Sequence, residues 1–190
     1  MTRRHIAIVA ALIAFIPITV RGQKFISDYT PAHGNPMTNP TRRLNTQTTT
    51  VGSQANDAEN ACQSWTLPAN TLVADGQSIR ITAHGYLNGN GHPKTMRLYW
   101  GSSLLISTPA ASISTQFEME GVVTRVGHGG QAGFGKSLTG TTGITTTLSN
   151  RISGAEDESQ PILIRATTQI TGGAVVNEAK CDVLLIEFMP

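Results

Sequence analysis

The stretch QSIRITAHGYLNGNGHPKTMRLYWG, residues 77–101, decides the fold class. In its first part Ile79, Ile81 and Ala83 share one parity, and Arg80, Thr82 and His84 take the other. Successive side chains of an extended chain point to opposite faces, so this is the pattern of a half-buried strand. Asn88-Gly89-Asn90-Gly91 follows as a strong turn signal. From Lys94 the alternation resumes, with Met96, Leu98 and Trp100 on one face and Thr95, Arg97 and Tyr99 on the other.

Working outward, the same logic predicts a short strand over Leu104 to Ser107 and a longer one over Thr115 to Val126. The longer strand aligns Phe117, Met119 and Val123, with Gly121 read as a bulge or bend. Pro161 to Ile170 puts Ile162, Ile164, Ala166 and Ile170 inward. Lys180 to Met189 is apolar almost without a break, through Val183, Leu184, Leu185, Ile186 and Phe188. A strand of that kind is buried on both faces or turns one face to another subunit, so these five residues are the candidate subunit-contact strand. Trp65 and Leu67 supply an opening strand, and Ile144 to Leu148 supplies another. Eight or nine short strands joined by Gly- and Asn-rich turns, with no confident helical period, predict an all-β chain folded as an antiparallel β-sandwich over residues 61–190.

Composition agrees and narrows the function. Only 14% of the 190 residues are charged, and the net charge is +2 with no dense basic stripe. Nucleic-acid binding needs clustered Lys and Arg, so it is not expected. The two cysteines, Cys62 and Cys181, form no metal-ligand spacing. Cys62 opens the domain and Cys181 lies in its last strand. A disulfide between them and two small buried thiols are both open readings.

The beginning of the chain reads differently. Residues 1–22 pair Arg3, Arg4 and His5 with an apolar run from Ile6 to Val20. The run is too short for a membrane span of about 20 residues, and it suits an export signal. The alternative is an apolar arm that docks on a partner. Residues 23–60 hold Pro31, Pro36, Pro40 and Thr48-Thr49-Thr50, and they read as an extended linker with little to form a core.

One segment, Gly130-Gln131-Ala132-Gly133-Phe134-Gly135-Lys136-Ser137, matches the phosphate-loop pattern G-x-x-x-x-G-K-S letter for letter. That loop works by leading into a helix N-terminus, where backbone amides hold phosphate. Here Gly140, Gly143 and several threonines follow, which make a poor helix. The segment is therefore read as a Gly-rich loop between two strands. His84 and His92 flank a turn and are read as an incidental pair rather than metal ligands. Glu156-Asp157-Glu158 reads as a solvated loop. No nucleophile–base set or spaced carboxylate pair emerges. Neither enzyme activity, nor a cofactor, nor a metal is expected.

The stretches Trp65-Thr66-Leu67-Pro68-Ala69-Asn70-Thr71-Leu72, Asp75-Gly76-Gln77-Ser78-Ile79-Arg80-Ile81, Lys94-Thr95-Met96-Arg97-Leu98-Tyr99-Trp100-Gly101 and Val183-Leu184-Leu185-Ile186-Glu187-Phe188 resemble a family of small jelly-roll virion proteins of tailed bacteriophages. The resemblance covers about residues 62–190. It implies a sandwich of jelly-roll type and a structural role on the particle as head decoration, fibre or tail appendage. It also implies self-assembly as a homotrimer, with the major capsid protein or tail components as partners. A secreted carbohydrate-binding or adhesion domain is the alternative, with a glycan as ligand and Trp65, Tyr86, Tyr99 and Trp100 as its aromatic supply. Fold alone does not choose between them.

Overall fold

The computed structural model describes residues 41–140, 145–149, 152–154 and 156–190. Their regular structure is β throughout: β1 (Arg42–Gln47), β2 (Val51–Gly52), β3 (Asn60–Leu67), β4 (Ser78–Leu87), β5 (Lys94–Trp100), β6 (Ser103–Ser107), β7 (Thr115–Gly127), β8 (Gly130–Thr139), β9 (Thr145–Leu148), β10 (Ile152–Gly154), β11 (Ile162–Ile170) and β12 (Ala179–Met189). The export-like or docking segment at 1–22 and the linker residues 23–40 lie outside the described residues.

The strands form two antiparallel sheets. The larger runs β1-β12-β4-β7-β8-β10, with β2 added on β12 and β9 on β8; the smaller runs β3-β11-β5-β6. Alternation decides which side chains meet between them. Ile79 and Ile81 of β4, Met119 of β7, and Leu184 and Ile186 of β12 are fully buried. So are Met96, Leu98 and Trp100 of β5 and Ile164 of β11, and all belong to one core cluster drawn from both sheets. Burying a Leu or Ile side chain is worth about 1.5–3 kcal/mol. A one-residue slip of any of these strands would turn its whole apolar set to water.

The strand architecture departs from the sequence reading in several places. The linker read at 23–60 already belongs to the sheet from Arg42, because β1 pairs with β12 from Arg42↔Phe188 to Gln47↔Leu184. An edge strand is held by main-chain hydrogen bonds and needs no apolar run, so composition did not mark it. The turn at Asn88–Gly91 does not close a hairpin: β4 lies in the larger sheet and β5 in the smaller, so the chain crosses between layers there.

Gly121 marks no bulge, since its register with Ile81 and with Gly135 is continuous. A Cβ on Gly121 would lie 2.6 Å from Leu105 Cδ1, and one on Gly135 would lie 2.7 Å from both the Leu105 carbonyl oxygen and Ile106 Cβ. The two glycines form a saddle on which β6 rides. Finally, the Gly-rich loop is itself a strand: Gly130–Thr139 is β8, laddered to β7 along its length. Its backbone runs in sheet ladders, with the Gly135 amide donating to Ser149 Oγ at 2.6 Å, rather than curling into the converging nest that phosphate requires.

The saddle gives a direct test. Gly135→Val is expected to cost about 2–3 kcal/mol, because a backbone carbonyl stands where Cβ must go. Gly127→Ala, whose Cβ meets nothing within 4 Å, should stay within about 0.5 kcal/mol of the parent. Urea denaturation of both variants reads the difference. Equal midpoints would show that β6 does not sit against this face.

Candidate functional site

β1 and β3 are the outer strands on the same side of the two layers, and a groove runs between them. Two side chains stitch across it: Gln47 Nε2 donates to the Ser64 carbonyl at 2.8 Å, and Gln63 Nε2 donates to the Thr49 carbonyl at 2.9 Å. One end of the groove is a polar cavity of about 450 Å³ between Thr46–Thr49 and Ala61–Ser64. Gln63 is only 5% exposed there, and its Oε1 is buried without a hydrogen-bond partner.

The other end is a cleft of about 530 Å³ lined by Arg42, Leu44, Trp65, Pro68, Asn70, Thr71, Val73, Gln77 and Phe188. Leu44, Trp65 and Phe188 pack against the core from its edge and stay half-buried. The loop forming the mouth is held in shape. Gln77 Oε1 accepts from the amides of Val73 and Ala74 at 2.8 and 2.9 Å, and Thr71 Oγ1 donates to the Pro68 carbonyl at 2.6 Å. Asn70 adopts a positive φ of 57°, and its amide donates to the Glu158 carbonyl at 2.7 Å. The cleft thus offers one aromatic indole, an apolar floor and several fixed polar groups.

Below the groove Cys62 of β3 and Cys181 of β12 form a disulfide with Cα atoms 5.9 Å apart. The bridge ties the smaller sheet to the larger one from inside, since the two residues are 4% and 0% exposed.

The sequence leaves two readings for the apolar strand that carries Val183, Leu184, Leu185, Ile186 and Phe188, burial on both faces or one face turned to another subunit. That strand is β12, and it lies inside the larger sheet between β1 and β4. Leu184 and Ile186 fill the core, Val183 and Leu185 are half-buried on the opposite face, and Phe188 lines the cleft. Strand edges paired on both sides leave no ladder for a partner to extend. Of the aromatic candidates, Trp65 lines the cleft and Trp100 is fully buried. Tyr99 carries the Arg165 guanidinium 4.6 Å above its ring, and Tyr86 is half-buried on β4.

Two motifs singled out in the sequence turn out to be partners of each other. Gln131, in the phosphate-loop look-alike, donates from Nε2 to the Glu156 carbonyl at 2.7 Å and to the Glu158 carboxylate at 2.6 Å. Its Oε1 accepts from the Glu156 amide at 3.0 Å. The acidic run is therefore not a uniformly solvated loop, because Glu158 is 5% exposed. Burial works against the charge on Glu158, but the hydrogen bonds from Gln131 and the Gly129 amide, with the Arg125 guanidinium, outweigh it and hold its carboxyl below the ordinary range. Glu59 behaves likewise: burial opposes ionisation, and the Thr167 and Tyr99 hydroxyls with Arg97 and Arg165 overcome it.

His84 and His92 face different carboxylates, Glu118 at 3.8 Å and Glu178 at 2.8 Å. Among the described residues, no group of three or more His, Cys, Asp or Glu side chains is arranged to hold a metal ion. Sequence reasoning missed the groove because its walls come from residues 42–77 and 188, and no local pattern joins them.

No protein-family model and no curated protein matches the sequence. Among solved structures, the chain is similar to the CBM2 module of Lactobacillus casei BL23 phage J-1 evolved Dit. The identity is 8%, the likeness spans 65% of this chain and 67% of that one, and the TM-score is 0.26.

Proposed function

We propose that the chain is a non-enzymatic structural component of a bacteriophage particle. In this reading it is a jelly-roll β-sandwich that serves as head decoration, fibre or tail appendage, through assembly into a homotrimer and onto the major capsid protein or tail components. The observation that carries the reading is the groove: two outer strands of different sheets stand side by side, with an apolar cleft at one end. Unpaired strand edges are templates for partner chains. An extended segment laid there gains main-chain hydrogen bonds from the edges and specificity from a pocket such as that of Trp65 and Phe188. The resemblance noted for residues 62–190 supports the same role.

The test is light scattering of the full chain, with co-sedimentation on phage particles. The chain is expected to assemble and to bind particles. The double variant Trp65→Ser, Phe188→Ser is expected to weaken that association by about 30-fold, the scale of losing a buried aromatic anchor. A monomeric chain with no affinity for particles would count against the proposal.

A second reading, a secreted carbohydrate-binding or adhesion domain, is favoured by one observation. The Trp65 indole sits beside Arg42, Asn70, Thr71 and Gln77 in one cleft. An apolar surface flanked by a few fixed polar groups is how small ligands are oriented. A glycan array without binding removes this reading.

A further inference from the structure

The alternation of β5 places Lys94 on the same face as Met96, Leu98 and Trp100, and the structure keeps it there, 0% exposed. A lysine in that position must be paired with an anion or lose its charge. Its Nζ donates to the Asn90 side-chain carbonyl at 2.5 Å and to the His92 main-chain carbonyl at 2.7 Å. Both acceptors are neutral. Burial pushes the Lys94 amine below its ordinary value, against the pull of the nearby Glu178 charge.

Glu178 stands on the other side of the same amide. It is 3% exposed, and its Oε1 accepts from Asn90 Nδ2 in a close contact and lies 2.8 Å from His92 Nδ1. Its Oε2 is buried without a partner. The main chain is fixed around it, since the Asn88 amide donates to the Glu178 carbonyl at 2.7 Å and Asn88 Nδ2 donates to the Asn177 carbonyl at 3.0 Å. The Asn90 carboxamide is thus held with an amine at its oxygen and a carboxylate at its nitrogen.

The geometry points to an intramolecular amide cross-link between Lys94 and Asn90, with Glu178 as the proton carrier. Once its ammonium has lost a proton, Nζ adds to Asn90 Cγ, and in the adduct Glu178, which touches Nδ2 on that same carbon, takes the further proton that Nζ gives up. Glu178 returns that proton to Nδ2, the Cγ–Nδ2 bond breaks, and ammonia leaves. The Nζ–Cγ amide remains and Glu178 is regenerated, so no oxidant, metal or cofactor enters. Asn90 itself is exposed, which opens a path for ammonia to solvent. The product removes a buried amine from the core and ties the middle of the crossover to the first residue of β5.

Peptide mass spectrometry of the reduced full chain tests this. The peptide spanning residues 88–94 is expected to be lighter than its sequence by about 17 Da, one ammonia. Fragmentation should show no breaks separating Asn90 from Lys94, and trypsin should fail to cut after Lys94. Lys94→Arg and Glu178→Gln should both restore the unmodified mass. Should those variants fail to fold, the wild-type peptide decides alone. An unmodified peptide from folded protein overturns the proposal. So does a loss of the same size that is cleaved by hydroxylamine or persists in Lys94→Arg, because Asn90-Gly91 then carries a cyclic imide instead.

Discussion

Removing the bridge with the double variant Cys62→Ala, Cys181→Ala is expected to lower the unfolding free energy by about 5 kcal/mol. The magnitude follows from the separation of 119 residues between the cysteines. A cross-link that long denies the unfolded chain most of its loop freedom, and the cost of the loop grows only with the logarithm of its length. The location adds to this. Cys62 belongs to the outer strand of the smaller sheet and Cys181 to an interior strand of the larger, so the bond joins the layers beside the groove. Urea titrations of the parent, with and without reductant, and of the double variant measure the effect. Reduced parent and variant should unfold at similar denaturant concentrations, well below the oxidised parent. A difference under about 1 kcal/mol would mean that packing alone holds the layers.

The second large effect is expected at Glu158. Glu158→Gln should cost about 3 kcal/mol, because it leaves the Arg125 guanidinium without its buried counter-charge. That side chain is 14% exposed and lies 3.6 Å from the Glu158 carboxylate. The substitution also weakens the hydrogen bonds from the Gly129 amide at 2.8 Å and from Gln131.

The pH dependence has a fixed sign. The folded carboxyl sits below its ordinary value of 4.5, so the unfolded chain binds the proton first as pH drops. The stabilisation is complete above the unfolded value and disappears as pH falls through the folded one. The parent should therefore lose stability on acidification below about pH 4.5, and Glu158→Gln should lose less over the same window. Glu59, also held low, keeps some acid sensitivity in the variant. Denaturant midpoints from pH 3 to 7, roughly the titration range of carboxylates, give both slopes. Parallel slopes would remove Glu158 as a source of acid sensitivity.

What could be read in the sequence was whatever is written in period two. Ile79, Ile81 and Ala83 are all fully buried, as are Met96, Leu98 and Trp100, because a strand with one face on a core has no other arrangement open to it. β1 was invisible, since Arg42-Arg43-Leu44-Asn45-Thr46-Gln47 has no apolar alternation and joins the sheet through its main chain. β8 was misread for a related reason. Its inward positions include Gly133 and Gly135, which look like turn residues, but Gly135 is small because β6 crosses directly above it.

Glu158 reads as one charge in an acidic run until the fold brings Arg125 and Gln131 to it. Lys94 is the reverse case. Its place on an apolar face could be counted off from Met96 and Leu98, and only the chemistry around it needed coordinates.

The pairing of β1 with β12 has a consequence for how the molecule comes to exist. The two strands stand at opposite ends of the described fold, and the sulfur partners are nearly as far apart in sequence. A nascent chain therefore cannot complete the larger sheet, bury Leu184 or oxidise its thiols until the segments of β12 that carry those residues have left the ribosome. Folding dominated by such distant pairings runs on a scale of about milliseconds to seconds. During that interval the edge of β12 awaiting β1 accepts the same strand from any neighbouring copy, so crowding at the site of synthesis favours exchange of β1 between molecules.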